Sequence, residues 1–182
     1  MALSKIQSES INLADTFAFT GTVSGAGGGK VLQVKSVSKD TYFSTTSTTF
    51  TDVTGMSVSI TPSSASSKIY CIFHVGISGN GTGGQYSYMR LMRDSTAISV
   101  GDISGSSRVA VGSGTGGNVP YDAGPLMITH LDSPSTTSAI TYKIQMKDQN
   151  SGTAKFNARG DDGDNDSNGR SAASLTVMEI SG

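Results

Sequence analysis

The most regular stretch of the chain runs from Ile140 to Lys147. Ile140, Tyr142, Ile144 and Met146 alternate there with Thr141, Lys143, Gln145 and Lys147. Successive strand residues point to opposite faces, so this period of two predicts a strand with one buried face and one wet face. A second alternation joins Met56, Val58 and Ile60 across Ser57 and Ser59. A third runs through Ile69, Cys71, Phe73, Val75 and Ile77, and its other face, Tyr70, Ile72 and His74, is also fairly apolar. A strand apolar on both sides is expected to be covered on both, by a loop or by another subunit. Less regular patterns predict strands at Val31 to Val37, Gln85 to Arg93, Leu126 to Leu131 and Ser174 to Ile180.

Turn chemistry separates these runs: Thr61-Pro62-Ser63-Ser64, Gly79-Asn80-Gly81-Thr82-Gly83-Gly84 and Arg93-Asp94-Ser95. No amphipathic helix interrupts them. The pattern predicts an all-β chain, an antiparallel β-sandwich of jelly-roll-like form. Composition agrees, because 30 Ser, 20 Thr and 23 Gly stand among 182 residues. Thr favours strands, while Ser and Gly favour the turns between them.

Residues 1–29 read differently. Ala2 to Ser8 fits a short helix, and Ile11, Leu13, Phe17 and Phe19 follow in a Ser/Thr-rich frame. Gly25-Ala26-Gly27-Gly28-Gly29 then forms a flexible joint. The expected division is an N-terminal extended arm with its glycine hinge over residues 1–29 and a sandwich domain over residues 30–182. The arm is either an attachment segment or a strand folded back onto its own domain.

Charge and cysteine content narrow the function. The formal net charge is −1, which builds no basic field for nucleic acid or an anionic membrane. Cys71 is the one cysteine, so no intrachain disulfide forms. No secretory leader and no membrane-spanning apolar run stands out, so the chain is expected to be made in a cytoplasm.

Few residue groups carry candidate chemistry. Gly79-x-Gly81-x-x-Gly84 and Gly112-x-Gly114-x-x-Gly117 have dinucleotide-loop spacing. They are followed by strand-like Gln85-Tyr86-Ser87-Tyr88 and by Asn118-Val119-Pro120, not by the helix whose N-terminus receives the pyrophosphate. Gly25 to Lys30 lacks the first glycine and the Ser/Thr of a phosphate loop. His130 and Asp132 share a strand face, but no Gly-x-Ser-x-Gly elbow is present. Cys71 reads as a small buried hydrophobe. Glu9 and Glu179 are the only glutamates, and no convincing carboxylate pair suits glycoside hydrolysis. No catalytic residue and no cofactor is expected.

Asp162, Asp164 and Asp166 match the first three ligand positions of a calcium loop, but Ser167 and Ala173 stand where Gly and Glu are needed. They are weak metal candidates, and a solvated acidic loop is the other reading. Arg159-Gly160-Asp161 is read as a turn. Tyr86, Tyr88, Arg90 and Met92 share one strand face, and the first three are candidate surface-binding residues. A mixed core and rim face would place the same residues there.

Several runs, in this order, carry a resemblance. They are Gly29-Lys30-Val31-Leu32-Gln33-Val34, Thr45 to Gly55, Ile60 to Ile69, Arg90-Leu91-Met92-Arg93-Asp94-Ser95, Leu131 to Ser138, Thr141-Tyr142-Lys143-Ile144-Gln145 and Thr176-Val177-Met178-Glu179-Ile180. The chain resembles small tail-fibre or appendage domains of phages of marine bacteria, including cyanophages, over roughly Lys30 to Gly182. These motifs are structural, so they speak to fold more than to activity.

The resemblance implies a non-enzymatic virion structural protein, made in the host cytoplasm and displayed on the virion surface. It implies a homotrimer, and the apolar residues before the glycine hinge, Ile11, Leu13, Phe17 and Phe19, are the expected attachment to other virion proteins. Loops at Ser78 to Gly84, Gly101 to Tyr121 and Asn157 to Arg170 would touch a host-surface glycan or protein. A capsid decoration, cement or head-fibre protein is the alternative, and a polysaccharide-active enzyme is a lesser one. Nucleic acid and membrane are not expected partners.

Overall fold

The computed structural model describes residues 30–81, 86–105, 108–116, 123–149 and 152–182. Eleven strands follow one another: β1 (Val31–Lys39), β2 (Phe43–Thr45), β3 (Thr51–Ile60), β4 (Lys68–Asn80), β5 (Tyr86–Arg93), β6 (Thr96–Ile98), β7 (Ser113–Gly116), β8 (Ala123–Asp132), β9 (Ile140–Asp148), β10 (Ala154–Phe156) and β11 (Ala173–Ile180). Among the described residues there is no helix.

The strands form two antiparallel sheets. In the first, β4 is central: β8 pairs along one edge, while β11 and then β10 follow each other along the other. β1 lies outside β11, and β2 lies outside β10. In the second sheet β3, β9 and β5 are neighbours, and β7 and β6 share the far edge of β5. Without the short β2, β6 and β10, the order β1-β11-β4-β8 faces β3-β9-β5-β7. Eight strands in this order are a jelly roll, the form the alternating pattern predicts.

The inner faces meet in one core. Phe73 and Val75 of β4, Met89 and Leu91 of β5, Ile144 and Met146 of β9 and Leu175 and Val177 of β11 have no exposed surface. The Phe73 and Phe156 rings stack 6.2 Å apart between the long and short strands of the first sheet. β9 alternates buried and half-buried along its whole length, as its sequence pattern requires.

β4 is central in its sheet. Its inner face is buried, but on the outer face Tyr70 and Ile72 are half-buried and His74 is exposed. Among the described residues no strand or loop covers that side. The outer face of the first sheet places Val34, Met178, Tyr70 and Leu131 in one cross-strand row, followed by Ser36, Thr176, Ile72 and Thr129, then Ser38, Ser174, His74 and Met127. Met127 is 59% exposed and Leu131 55%.

Two expected loop boundaries also move. β4 continues to Asn80, so Ser78, Gly79 and Asn80 are strand residues, and β7 lies inside the segment read as the loop Gly101 to Tyr121. The arm, including Ile11, Leu13, Phe17 and Phe19, lies outside the described residues.

Candidate functional site

The two ends of the sandwich are chemically distinct. At one end Val31 pairs with Ile180 and Ile180 with Lys68, so the start of the described chain lies beside its C-terminus. Two buried carboxylates hold this end together. Asp132 of β8, 5% exposed, accepts from Arg93 Nη1 of β5 (2.9 and 3.1 Å) and from Tyr142 Oη of β9 (2.7 Å). It therefore ties the first sheet to the second. Burial, the Asp132 hydrogen bond and its charge push the Tyr142 phenol far up. Burial, with Asp132 nearby, pushes the Cys71 thiol up to about 12, so this cysteine is not a nucleophile at neutral pH.

Glu179 accepts from Ser63 N (2.7 Å), Ser63 Oγ (2.6 Å) and Gln33 Nε2 (2.7 Å). Burial alone would raise its carboxyl, but these hydrogen bonds outweigh burial and hold it at about 2. His130 faces inward opposite Cys71, but the partners of Asp132 are Arg93 and Tyr142. The described residues assemble no Ser-His-Asp arrangement at this end.

The opposite end collects the ends of β4, β7 and β9 and the starts of β5, β8 and β10. Asn80 Nδ2 donates to Asp148 Oδ1 (2.6 Å), and Ser87 Oγ donates to the Gly79 carbonyl (2.8 Å). These bonds join the two sheets here as Asp132 joins them at the other end. Asp148 Oδ2 also accepts the Gly152 amide (2.8 Å).

From this end a polar and aromatic platform spreads over the outer face of the second sheet. The rings of Tyr86 and Tyr88 are 7° from parallel with centroids 6.0 Å apart. Tyr86 is 43% exposed. Lys147 Nζ lies 5.9 Å from the Tyr88 ring and 5.8 Å from that of Phe50. The Arg90 guanidinium sits 4.1 Å above Phe50 and donates twice to Gln145 Oε1 (2.9 and 2.7 Å). Gln145 and Lys143 in turn donate to Asp52, 2.7 Å each, and the Lys143 contact followed by the Gln145 contact holds the Asp52 carboxyl below its usual range.

Arg90 is thus engaged within the face and braces it, while Tyr86 and Tyr88 form its front. Met92 lies on the same strand face but is only 4% exposed, so it offers no contact surface.

Gly114 explains how Tyr88 lies flat. It pairs with Tyr88 across β5 and β7, and a Cβ built on it would stand 2.7 Å from Tyr88 Cδ1. The glycines of Gly112-x-Gly114 therefore seat side chains: Gly112 in the same way faces Ile128 Cδ1, 2.8 Å from where its Cβ would be.

Beside Tyr88 a cavity of about 570 Å³ opens between the β5/β9 surface and the segment after β6. Tyr88, Lys147 and Gln149 form one wall, and Asp102, Arg108, Val109 and Val111 the other. Among the described residues, neither Lys147, Arg108 nor Asp102 takes part in an ion pair.

The acidic loop forms a separate cavity of about 490 Å³ lined by Asp162, Asp164, Asn165, Asn168 and Arg170. Arg170 donates to both oxygens of Asp162 (3.1 Å each) and lies 5.3 Å above the Tyr42 ring. Asp164 and Asp166 are exposed. Among the described residues no three His, Cys, Asp or Glu side chains come together to hold a metal. Arg159 donates to the Ser167 carbonyl (2.7 Å), so the Arg-Gly-Asp sequence is part of the loop's own bracing.

Sequence reasoning missed Phe50, Lys147, Arg108, Asp102 and Gln149. Lys147 was legible as the wet face of β9, but its place beside Tyr88 depends on the β5–β9 register, in which these two residues are partners. Arg108 and Asp102 lie outside the strands, so no periodicity marks them.

The sequence matches no protein-family model and no curated protein. Solved structures of infectious bursal disease virus are similar in trace. The Gt strain gives a TM-score of 0.43 at 12% identity, covering 92% of this chain and 45% of the other. The Gx strain gives 0.41 at 12%, covering 92% and 44%. A crystal structure of the particle of this virus gives 0.42 at 10%, covering 92% and 42%. The chain spans less than half the length of these proteins. Likeness at this level carries no argument about function.

Proposed function

We propose that the chain is a non-enzymatic structural protein of a bacteriophage virion. It is a short homotrimeric tail-fibre or appendage domain, anchored through residues 1–29 and presenting its far end to the host surface. One observation carries this reading: the chain enters β1 at the end of the sandwich opposite the Tyr88 cavity. The 13 residues of β4 run from the end where Lys68 meets Ile180 to the end where Asn80 meets Asp148. At strand rise that is about 40 Å between the anchoring end and the presenting end.

Trimer formation has a natural seat on the outer face of the first sheet. In its three cross-strand rows His74 is the only ionisable side chain but for the Tyr70 phenol. Copies of this chain can meet there without like-charge repulsion.

Gold-labelled antibody against the protein, applied to purified particles, tests the reading. Label on the tail or on projecting fibres supports it. Label spread over the head replaces it with a capsid decoration or head-fibre protein seated through the same charge-poor face. Particles without label overturn both.

A further inference from the structure

The Tyr88 cavity has a composition that selects a ligand class. At about 570 Å³ it is the size of a small-molecule site. Among the described residues that line it, the charges are two cations, Lys147 and Arg108, and one carboxylate, Asp102, none of them in an ion pair with another described residue. Two cations against one carboxylate among these lining residues favour a ligand that carries an anionic group. The Asp102 carboxylate and the Gln149 amide accept and donate hydrogen bonds, as hydroxyl groups require. Val109, Val111 and the Tyr88 ring supply apolar surface.

A neutral sugar would leave Lys147 and Arg108 unmatched. A phosphate or sulfate would use the cations but would leave the apolar wall and the hydrogen-bonding pair without partners. A pyranose bearing a carboxylate satisfies all three: an anionic group, a rim of hydroxyls and an apolar C–H face to lie against an aromatic ring. An acidic peptide offers the carboxylate but not the hydroxyl rim.

We propose that this cavity binds one uronic acid residue of an acidic surface polysaccharide, with Lys147 and Arg108 on its carboxylate, Asp102 and Gln149 on its hydroxyls, and Tyr88 under its ring. The parallel Tyr86 ring, 6.0 Å from Tyr88 and 43% exposed, extends the contact to the neighbouring sugar. This deepens the host-contact reading above and rests on it for the biological source of the glycan.

Calorimetry on the full chain tests it. The probes are trimers of galacturonate, glucuronate and mannuronate and the same trimers with their carboxyls reduced to alcohols. At least one acidic trimer is expected to bind, and its reduced form to bind at least about tenfold more weakly. Lys147→Met and Arg108→Gln should each lower that affinity by a similar factor while the cooperative melting transition is kept: among the described residues neither side chain is in an ion pair, and Met retains an apolar stem beside the Phe50 and Tyr88 rings. Binding should also weaken from about 0.01 M to about 1 M salt, where the screening length falls from about 30 Å to about 3 Å.

Equal binding of acidic and reduced trimers, or no binding of any acidic trimer, overturns the proposal. So does full affinity in the Lys147→Met, Arg108→Gln double variant. Particle labelling separates the two readings. Tail label without uronate binding removes only the ligand. Uronate binding without particle label leaves a glycan-binding protein and removes the virion role.

Discussion

Glu179 is the residue at which solvent conditions reach furthest into the fold. It is a buried carboxylate at the end of β11, held at about 2 by donors from the β3–β4 turn and from β1. A carboxyl whose folded value lies below its ordinary 4.5 adds stability above that ordinary value and loses it as pH falls toward the folded one. Stability should therefore decline between pH 4.5 and about 2. Glu179→Gln should flatten this decline and cost about 2 kcal/mol at neutral pH, because its amide cannot accept from all three donors. Urea unfolding of both proteins at stepped pH measures both effects.

Gly114 makes a second residue-scale case. Gly114→Val would place a side chain inside the Tyr88 ring. It should destabilise by about 1–3 kcal/mol and displace Tyr88, so that near-ultraviolet circular dichroism changes in the tyrosine region.

At the scale of elements, the long strands were legible and the short ones were not. β3, β4, β5, β8, β9 and β11 each fall on a run whose alternation or apolar content marks them, because burial on one face demands a period of two. β2, β6, β7 and β10 have three or four residues each. That is too few for a period to declare itself, and β7, Ser113-Gly114-Thr115-Gly116, reads as loop on composition. It is a strand because β5 supplies its hydrogen bonds and Tyr88 covers its glycine.

The outer face of β4 was legible as apolar but not as exposed, since the sequence does not say how many chains cover it. Met127→Lys with Leu131→Lys places two cations per copy on that face. It should reduce self-association, read by sedimentation at matched concentrations, and leave the monomer's melting temperature within about 0.5 kcal/mol of equivalent stability.

At the scale of the molecule, the site was only half legible. Tyr86, Tyr88 and Arg90 were marked by sharing a strand face, but the structure divides them into two rings that front the cavity and one cation that braces it. Their partners Lys147, Arg108 and Asp102 come from a paired strand and a connecting segment, and only tertiary register brings those together. The polarity of the whole is simpler: entry at one end, cavity at the other. Removing residues 1–29 should leave the cooperative unfolding of residues 30–182 intact and abolish incorporation into particles. Calorimetric scans of the truncated chain, and blotting of purified particles for it, check the two halves of that outcome.

The pairing of β1 with β11 also has a mechanical consequence. In the proposed role, a pull between the arm and a surface held at the Tyr88 end enters β1 at its first residue and runs along the strands. The β1–β11 ladder, registered from Val31 with Ile180 to Lys39 with Ala173, is then loaded in shear, and its pairs share the strain. A pull between Lys30 and Gly182, which leave the same end, would peel that ladder from its rim one pair at a time. In the proposed role the domain is a tether that resists a pull from its arm to its cavity end and yields to separation of Lys30 from Gly182.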